Sequence, residues 1–334
     1  MSDTPLTAAP PRRLRWRRVV VAAVALGLVV VVVTGIAIST DTLGAGHLFE
    51  RAVARIDRFL AGPVPDRPAP GTILVTTPDE TEEPDEPLPT ATSATSPSPP
   101  ASPDPAGSGP IPTPVRTPSA TPQPTPARVR VDVDIVKDHD AVFAHEQKDT
   151  WCASAGVQMV LAILGRGNTS NAFQRELQSR VREWESYRDS HNGDWGPSAM
   201  ALALDDYGAK GYEVRAYKTR QGALRDAAKA IEKTRSPVIL LAWRGAHTWV
   251  MTGFRADADP AIFSNAKISG AYILDPWYPD VSSIWGRSDP PGTFQDNAEM
   301  IRNYLPWKRP EGRYPERDGL FISVVPTVRA SASR

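Results

Sequence analysis

Apolar residues fall along this chain in three regimes. Val19 to Ile38 runs twenty residues without a charge, long enough to span the hydrocarbon core of a bilayer. Between Asp41 and Ala61, Leu48, Val53, Ile56, Phe59 and Leu60 recur among charged residues, a spacing that predicts a short amphipathic helix within 39–61. Apolar periodicity then lapses from Gly62 to Arg128 and resumes at Val129.

Within 129–334 the pattern alternates between the two regular periods. Val131, Val133 and Ile135 alternate with Asp132 and Asp134, which predicts a half-exposed strand. Val157, Val160, Leu161 and Leu164 follow helical spacing, with Asp149 or Thr150 as the expected cap and Gly165 as the stop. A second helix is predicted over Pro197 to Tyr207, closed by Gly208, then a strand over Tyr212 to Tyr217 and a helix over Gln221 to Thr234. Four short apolar runs read as strands: Val238 to Trp243, Thr248 to Phe254, Ala271 to Leu274 and Leu320 to Val325. Helices first and strands second predict an α+β domain; no internal repeat is visible.

Composition separates the segments further. Residues 62–128 hold 20 of the 34 prolines, many Ser and Thr, and the acidic run Asp79 to Glu86, a mixture that cannot bury a core. They are expected to form a disordered, semi-rigid stalk reaching roughly 200 Å when extended at about 3.1 Å per residue. Residues 129–334 hold eight of the nine tryptophans, and their length suits one globular domain.

Charge changes the picture only at the N-terminus. With 38 basic and 38 acidic residues the formal net charge is zero, so nothing global favours nucleic acid. Locally, Arg12, Arg13, Arg15, Arg17 and Arg18 precede the apolar run against the single acid Asp3. That asymmetry predicts a cytoplasmic tail at 1–18 and an uncleaved transmembrane signal anchor at 19–38, with the rest of the chain extracellular. A cleaved signal peptide fits less well, because the run is too long and Gly35 to Thr40 offers no clear A-x-A site.

The chain has one cysteine, Cys152, so no intramolecular disulfide forms, and an unpaired thiol is either reactive or buried and inert. It falls at the predicted start of a helix, where roughly half a positive elementary charge and unpaired amides favour a thiolate and an oxyanion. Ala153, Ser154, Ala155 and Gly156 are small, so another element can pack closely on this turn. His247 immediately precedes one predicted strand and Asp275 follows another. Singly, each has a plainer explanation: a buried structural thiol, a satisfied polar histidine, an Asp-Pro turn.

Three stretches in order carry a resemblance. They are Gln147 through Trp151-Cys152 to Met159, Gly245-Ala246-His247-Thr248-Trp249 running to Gly253-Phe254, and Ile273-Leu274-Asp275-Pro276-Trp277. Together they resemble the papain-like cysteine peptidases, in particular the C39-like group. The resemblance implies a papain-like fold, with a helical lobe carrying the cysteine followed by an antiparallel sheet carrying the histidine and the aspartate. It also implies roles: Cys152 as nucleophile, His247 as general base and acid, Asp275 as the group that orients the imidazole, and Gln147 as an oxyanion-hole amide. Gln147 stands five residues before Cys152, whereas papain's pattern places this residue six before.

His139, His145 and His191 show no zinc-site spacing, so neither metal nor cofactor is expected. His191, Asp194 and Trp195, with Trp184 and Tyr187, are candidates to line a substrate cleft, although core packing more often explains such aromatics. The leading expectation is a monomeric, membrane-anchored, single-pass cysteine peptidase acting on a peptide or protein outside the cell. A papain-like domain that binds peptide or cell-wall material with weak turnover is the alternative. A transglutaminase-like acyl transferase ranks last, since His247 lies 95 residues beyond Cys152.

Overall fold

The computed structural model describes residues 126–329, apart from 191–193, 309–313 and 315, together with isolated pieces between 52 and 74. The basic tail 1–18, the apolar run 19–38 and most of 39–128 lie outside the described residues. Among the described residues no helix is long and apolar enough to cross a membrane. Residues 52, 53, 56 and 59–61 are helical, inside the stretch where an amphipathic helix is expected.

The described domain is α+β. In chain order it comprises β1 (Ile73–Leu74), β2 (Val131–Asp134), α1 (Cys152–Ile163), α2 (Asn171–Ser179), α3 (Pro197–Asp206), β3 (Tyr212–Tyr217) and α4 (Arg220–Thr234). There follow β4 (Val238–Leu241), β5 (His247–Ala256), β6 (Ile268–Leu274), β7 (Val281–Ser282), β8 (Gly286–Arg287), β9 (Thr293–Asp296), α5 (Asn297–Asn303) and β10 (Phe321–Pro326). Eight strands form one sheet in the order β1-β3-β10-β4-β5-β6-β9, with β2 pairing the far half of β5, and β7-β8 is a separate hairpin. Every pairing is antiparallel except β1 with β3. That exception lies within the segment expected to form a disordered stalk, where Ile73 and Leu74 pair with Arg215 and Ala216. A short β-forming run among the prolines meets the open edge of β3, whose backbone groups otherwise lack a strand partner on that side.

The pleat of the sheet sorts apolar side chains into two cores. Along β4, Val238 and Leu240 join Leu224 and Ile231 of α4, whereas Ile239 and Leu241 join Val157 and Val160 of α1 and Met200 and Leu204 of α3. The sheet is therefore covered on both faces, which explains why β4 reads as a continuous apolar run instead of an alternation. Buried Arg317 ties the C-terminal segment to the loop before α3, donating to the Asp189 carboxylate at 2.7 Å and to its backbone carbonyl at 3.1 Å. The other Asp189 carboxylate oxygen accepts the Ala199 N–H at 2.9 Å, so one aspartate fixes both the start of α3 and the chain beyond Trp307.

Two local differences from the sequence expectation bear on the site. Helix α1 begins at Cys152 as expected, but no side chain caps it. A turn closed by the Trp151 N–H on the Lys148 carbonyl at 2.8 Å feeds the chain into the helix instead. The strand expected over Val238 to Trp243 ends at Leu241. Trp243 (φ 51°) and Arg244 (φ 62°) adopt the left-handed conformation so that the chain can reverse and lay β5 beside β4.

The close approach of α1 to β5 rests on Gly156. A Cβ built there would overlap the Thr248 methyl group, which belongs to a buried β-branched residue with little freedom to turn. An exposed Gly→Ala change in a helix would gain about 1 kcal/mol of propensity. Here overpacking should exceed that gain, and Gly156→Ala is expected to destabilise the domain by about 1–3 kcal/mol in equilibrium urea unfolding.

Candidate active site

Four segments meet at one end of the sheet: the first turn of α1, the start of β5, the turn that follows β6, and the extended stretch 143–146. Antiparallel pairing of Val250 with Leu274 brings the beginning of β5 and the end of β6 to the same edge, which is why His247 and Asp275 meet. The His247 Nε2 and an Asp275 carboxylate oxygen are 2.7 Å apart, with both residues buried. A carboxylate only accepts, so Nε2 carries the proton of the neutral ring and Nδ1 is left with a free lone pair. The same Asp275 oxygen accepts the Trp277 N–H at 2.9 Å, fixing the carboxylate plane. Trp243 stacks on the imidazole at 3.9 Å between ring centroids, and Trp277 meets it edge-on at 6.5 Å.

Cys152 is the first residue of α1 and is half-buried. Its Sγ, a ring nitrogen of His247 and a carboxylate oxygen of Glu146 all lie within 4.8 Å of one another. The structure thus brings Cys152, His247 and Asp275 into one cluster. It does not bring Gln147 there: its amide donates to the Asn171 carbonyl at 2.9 Å, and its side-chain carbonyl accepts from Arg175 at 2.9 Å. The expectation of Gln147 beside the thiol is corrected by this geometry. Burial alternates along the segment, with Ala144 and Glu146 buried and His145 exposed, so neighbouring residues turn to opposite sides. The inward position beside the cysteine belongs to Glu146, a residue missed in the sequence reading although it stands at papain's six-residue spacing.

Glu146 is 3% exposed, and neither carboxylate oxygen has a hydrogen-bond partner among the described residues. Burial first, then the negative charges of Asp275, Asp149 and Asp280, push its pKa up to about 9. The Cys152 thiol is also pushed up, by burial first and then by Glu146, while hydrogen bonds from Thr248 and the Ala153 backbone act in the opposite direction. The lowering expected from the helix terminus is therefore outweighed, chiefly by burial.

A glutamine network holds the inward segment in place. Gln174 accepts the Gln147 N–H at 2.8 Å and donates to the His145 carbonyl and to Gln158 at 2.9 Å each. On the other side, the Glu146 N–H donates to the Pro276 carbonyl at 3.0 Å, tying this stretch to the turn that bears Asp275. His145 Nδ1 lies 2.9 Å from the Tyr278 carbonyl and His139 Nε2 lies 2.9 Å from an Asp134 oxygen, so both histidines bind structural partners. Glu146, Cys152 and His247 form the one set among the described residues whose donor atoms are close enough to consider for a metal ion. Thiol and imidazole belong to this same cluster, and no metal is assigned.

A cleft of about 240 Å³ opens onto Cys152 and His247, walled by Trp195, Met200 and Trp307 with Asp194 at its rim. Asp194 and Trp195 thus line it as anticipated. Trp184 instead packs against Trp195 and Tyr207 in the core, Tyr187 is exposed, and His191 lies outside the described residues.

A thiol at a helix start, facing an imidazole and carboxylate on neighbouring antiparallel strands, places the domain in the papain-like class. The Peptidase_C39 like family matches residues 132–305, and the chain belongs to that family, which makes this a C39-like peptidase domain. A solved double glycine motif protease from an AMS/PCAT transporter, in complex with the leader peptide, is similar at 16% identity and a TM-score of 0.30, over 59% of this chain and 99% of that one. No curated protein matches the chain.

The raised Glu146 pKa has a consequence for stability. Between its ordinary value near 4.5 and about 9, the folded state keeps a proton that the unfolded state releases, so stability is full below pH 4.5 and declines as pH rises through 9. The raised thiol adds to the decline above about pH 8.5. Replacing Glu146 by Gln should remove up to about 1.4 kcal/mol per pH unit from the slope between pH 5 and 9, read from urea midpoints of the two proteins across that range.

Proposed function

We propose that this chain is a thiol peptidase that hydrolyses peptide bonds through a Cys152–His247–Asp275 triad. The observation that carries the reading is the hydrogen-bonded His247–Asp275 pair, its second ring nitrogen left for a thiol whose sulfur is within 4.8 Å of the ring. In this reading His247 Nδ1 takes the Cys152 proton as the sulfur attacks the substrate carbonyl. The electron pair of that carbonyl moves onto its oxygen, and collapse expels the amine, which receives the proton from His247. Water then hydrolyses the acyl-thioester. Asp275 stays ionised throughout and stabilises the imidazolium, whose formation is also the condition under which the buried thiolate gains a counter-charge.

The sequence supports an extracytoplasmic setting for this reaction: arginines before the apolar run 19–38 would orient the chain with its domain outside, carried on the proline-rich segment. A second reading, a papain-like domain kept for binding peptide, is favoured by one observation: burial and Glu146 both push the Cys152 thiol up.

Iodoacetamide modification separates the two. An active peptidase should lose its cleavage of a mixture-based peptide library in step with alkylation of Cys152, whereas a binding domain would alkylate only above the range of an ordinary thiol near pKa 8.5 and cleave nothing. Cys152→Ala should abolish hydrolysis while leaving the thermal melt in place. His247→Ala should lower kcat by about 10³-fold or more, and Asp275→Ala should cost less, because orientation is lost but the base remains. Equal activity in Cys152→Ala and wild type would remove the thiol from the mechanism.

A further inference from the structure

Attack on a carbonyl leaves negative charge on an oxygen, and a site that stabilises it needs donors placed before the reaction begins. The helix supplies one kind. The first backbone N–H groups of α1 have no partner within the helix, and no side chain caps that end. Of the side-chain donors nearby, the Trp277 and Trp307 indole N–H groups have no partner among the described residues, whereas four others are already committed. Gln147 donates to Asn171, Gln158 to the Asn168 and Ser170 carbonyls, Gln174 to His145 and Gln158, and the Ser154 hydroxyl to the Trp151 carbonyl.

Glu146 is placed against the thiol and imidazole themselves. It is nine-tenths buried, has no hydrogen-bond partner for either carboxyl oxygen among the described residues, and reaches within 4.8 Å of both the sulfur and the imidazole. Resting on the thiol-peptidase reading above, we infer that Glu146 is a catalytic residue of this site: as a neutral carboxylic acid it donates its O–H to the substrate oxyanion, beside the first-turn amides of α1. Its proton is shared in that hydrogen bond and not transferred, so Cys152 and His247 still account for the bonds made and broken.

The surroundings keep the acid protonated. Asp275 across the turn after β6, Asp280 further along that turn and Asp149 before α1 all act on it with negative charge, and burial acts in the same direction. The facing thiol and imidazole complete its polar neighbourhood. A neutral Glu146 also withdraws the one carboxylate that opposes ionisation of Cys152. As a carboxylate, the same side chain would repel both the thiolate and the oxyanion.

The test uses the full chain on the peptide library, with Glu146→Ala and Glu146→Gln compared over pH 6 to 10. Loss of the donor in Glu146→Ala should lower kcat by about 10²–10³-fold with KM changed by less than about threefold. Glu146→Gln, which keeps a neutral donor, should recover to within about tenfold of wild type. The wild-type kcat should fall near pH 9 as Glu146 ionises, and this fall should be missing in Glu146→Gln. Wild-type turnover in Glu146→Ala, or a Glu146→Gln variant as impaired as Glu146→Ala with an unchanged melt and alkylation rate, would overturn the assignment. Should Glu146→Ala fail to fold, the pH profiles decide alone, and identical profiles for wild type and Glu146→Gln count against it. Failure of the underlying reading looks different: library cleavage that survives complete alkylation of Cys152, or no cleavage at all, removes peptidase and oxyanion donor together.

Discussion

The site depends on one contact, the packing of the first turns of α1 onto the start of β5. Helix and strand meet where Gly156 faces Thr248, and the absence of a side chain at 156 sets how near Cys152 comes to His247. A larger residue would move the helix axis outward and carry the sulfur with it, since Cys152 lies just over one turn away on the same helix. The proposed proton transfer would tolerate little of that, because misplacement of a reacting group by about 1 Å can cost 10²-fold in rate. The rest of the architecture serves this contact. The two cores press helices onto both faces of the sheet, and the Arg317–Asp189 pair holds the start of α3 and the C-terminal segment, from which Met200 and Trp307 wall the cleft.

Much of this was legible in the sequence, for identifiable reasons. Helix α1, helix α4 and strands β3, β5, β6 and β10 carry strong apolar periodicity, and the glycines at 165 and 208 mark real helix ends with positive φ. His247 and Asp275 could be placed because each stands at the end of a strand that the pattern reveals, and antiparallel neighbours bring such ends together. Less legible were the elements whose signal is polar or local. Helix α2 has few apolar positions and is held by the Ser170 cap and the buried glutamines. The left-handed Trp243 that stacks on His247 could not be read from composition, since tryptophan rarely adopts that conformation.

The misplacement of Gln147 shows how sharply an extended backbone reads its sequence. A shift of one residue turns a side chain from the inside to the outside, so a glutamine one place too late meets Asn171 and Arg175 instead of the thiol. The chemistry at the inward position then changes from an amide to a carboxyl. An amide donates at any pH, whereas a carboxyl donates only while protonated, so the donor role proposed for Glu146 is conditional on its surroundings.

Those surroundings resolve an electrostatic conflict. The pocket gathers Glu146 and Asp275 around a single imidazole and a thiol, with Asp149 and Asp280 acting from nearby. Full ionisation of all of them would concentrate negative charge in a buried volume with one cation to offset it. Asp275 is paired with His247 and hydrogen-bonded by the Trp277 N–H. Glu146 has neither kind of support and retains its proton. The ionisation of Cys152 is therefore linked to that of Glu146, because the Glu146 charge is what adds to burial in pushing the thiol up.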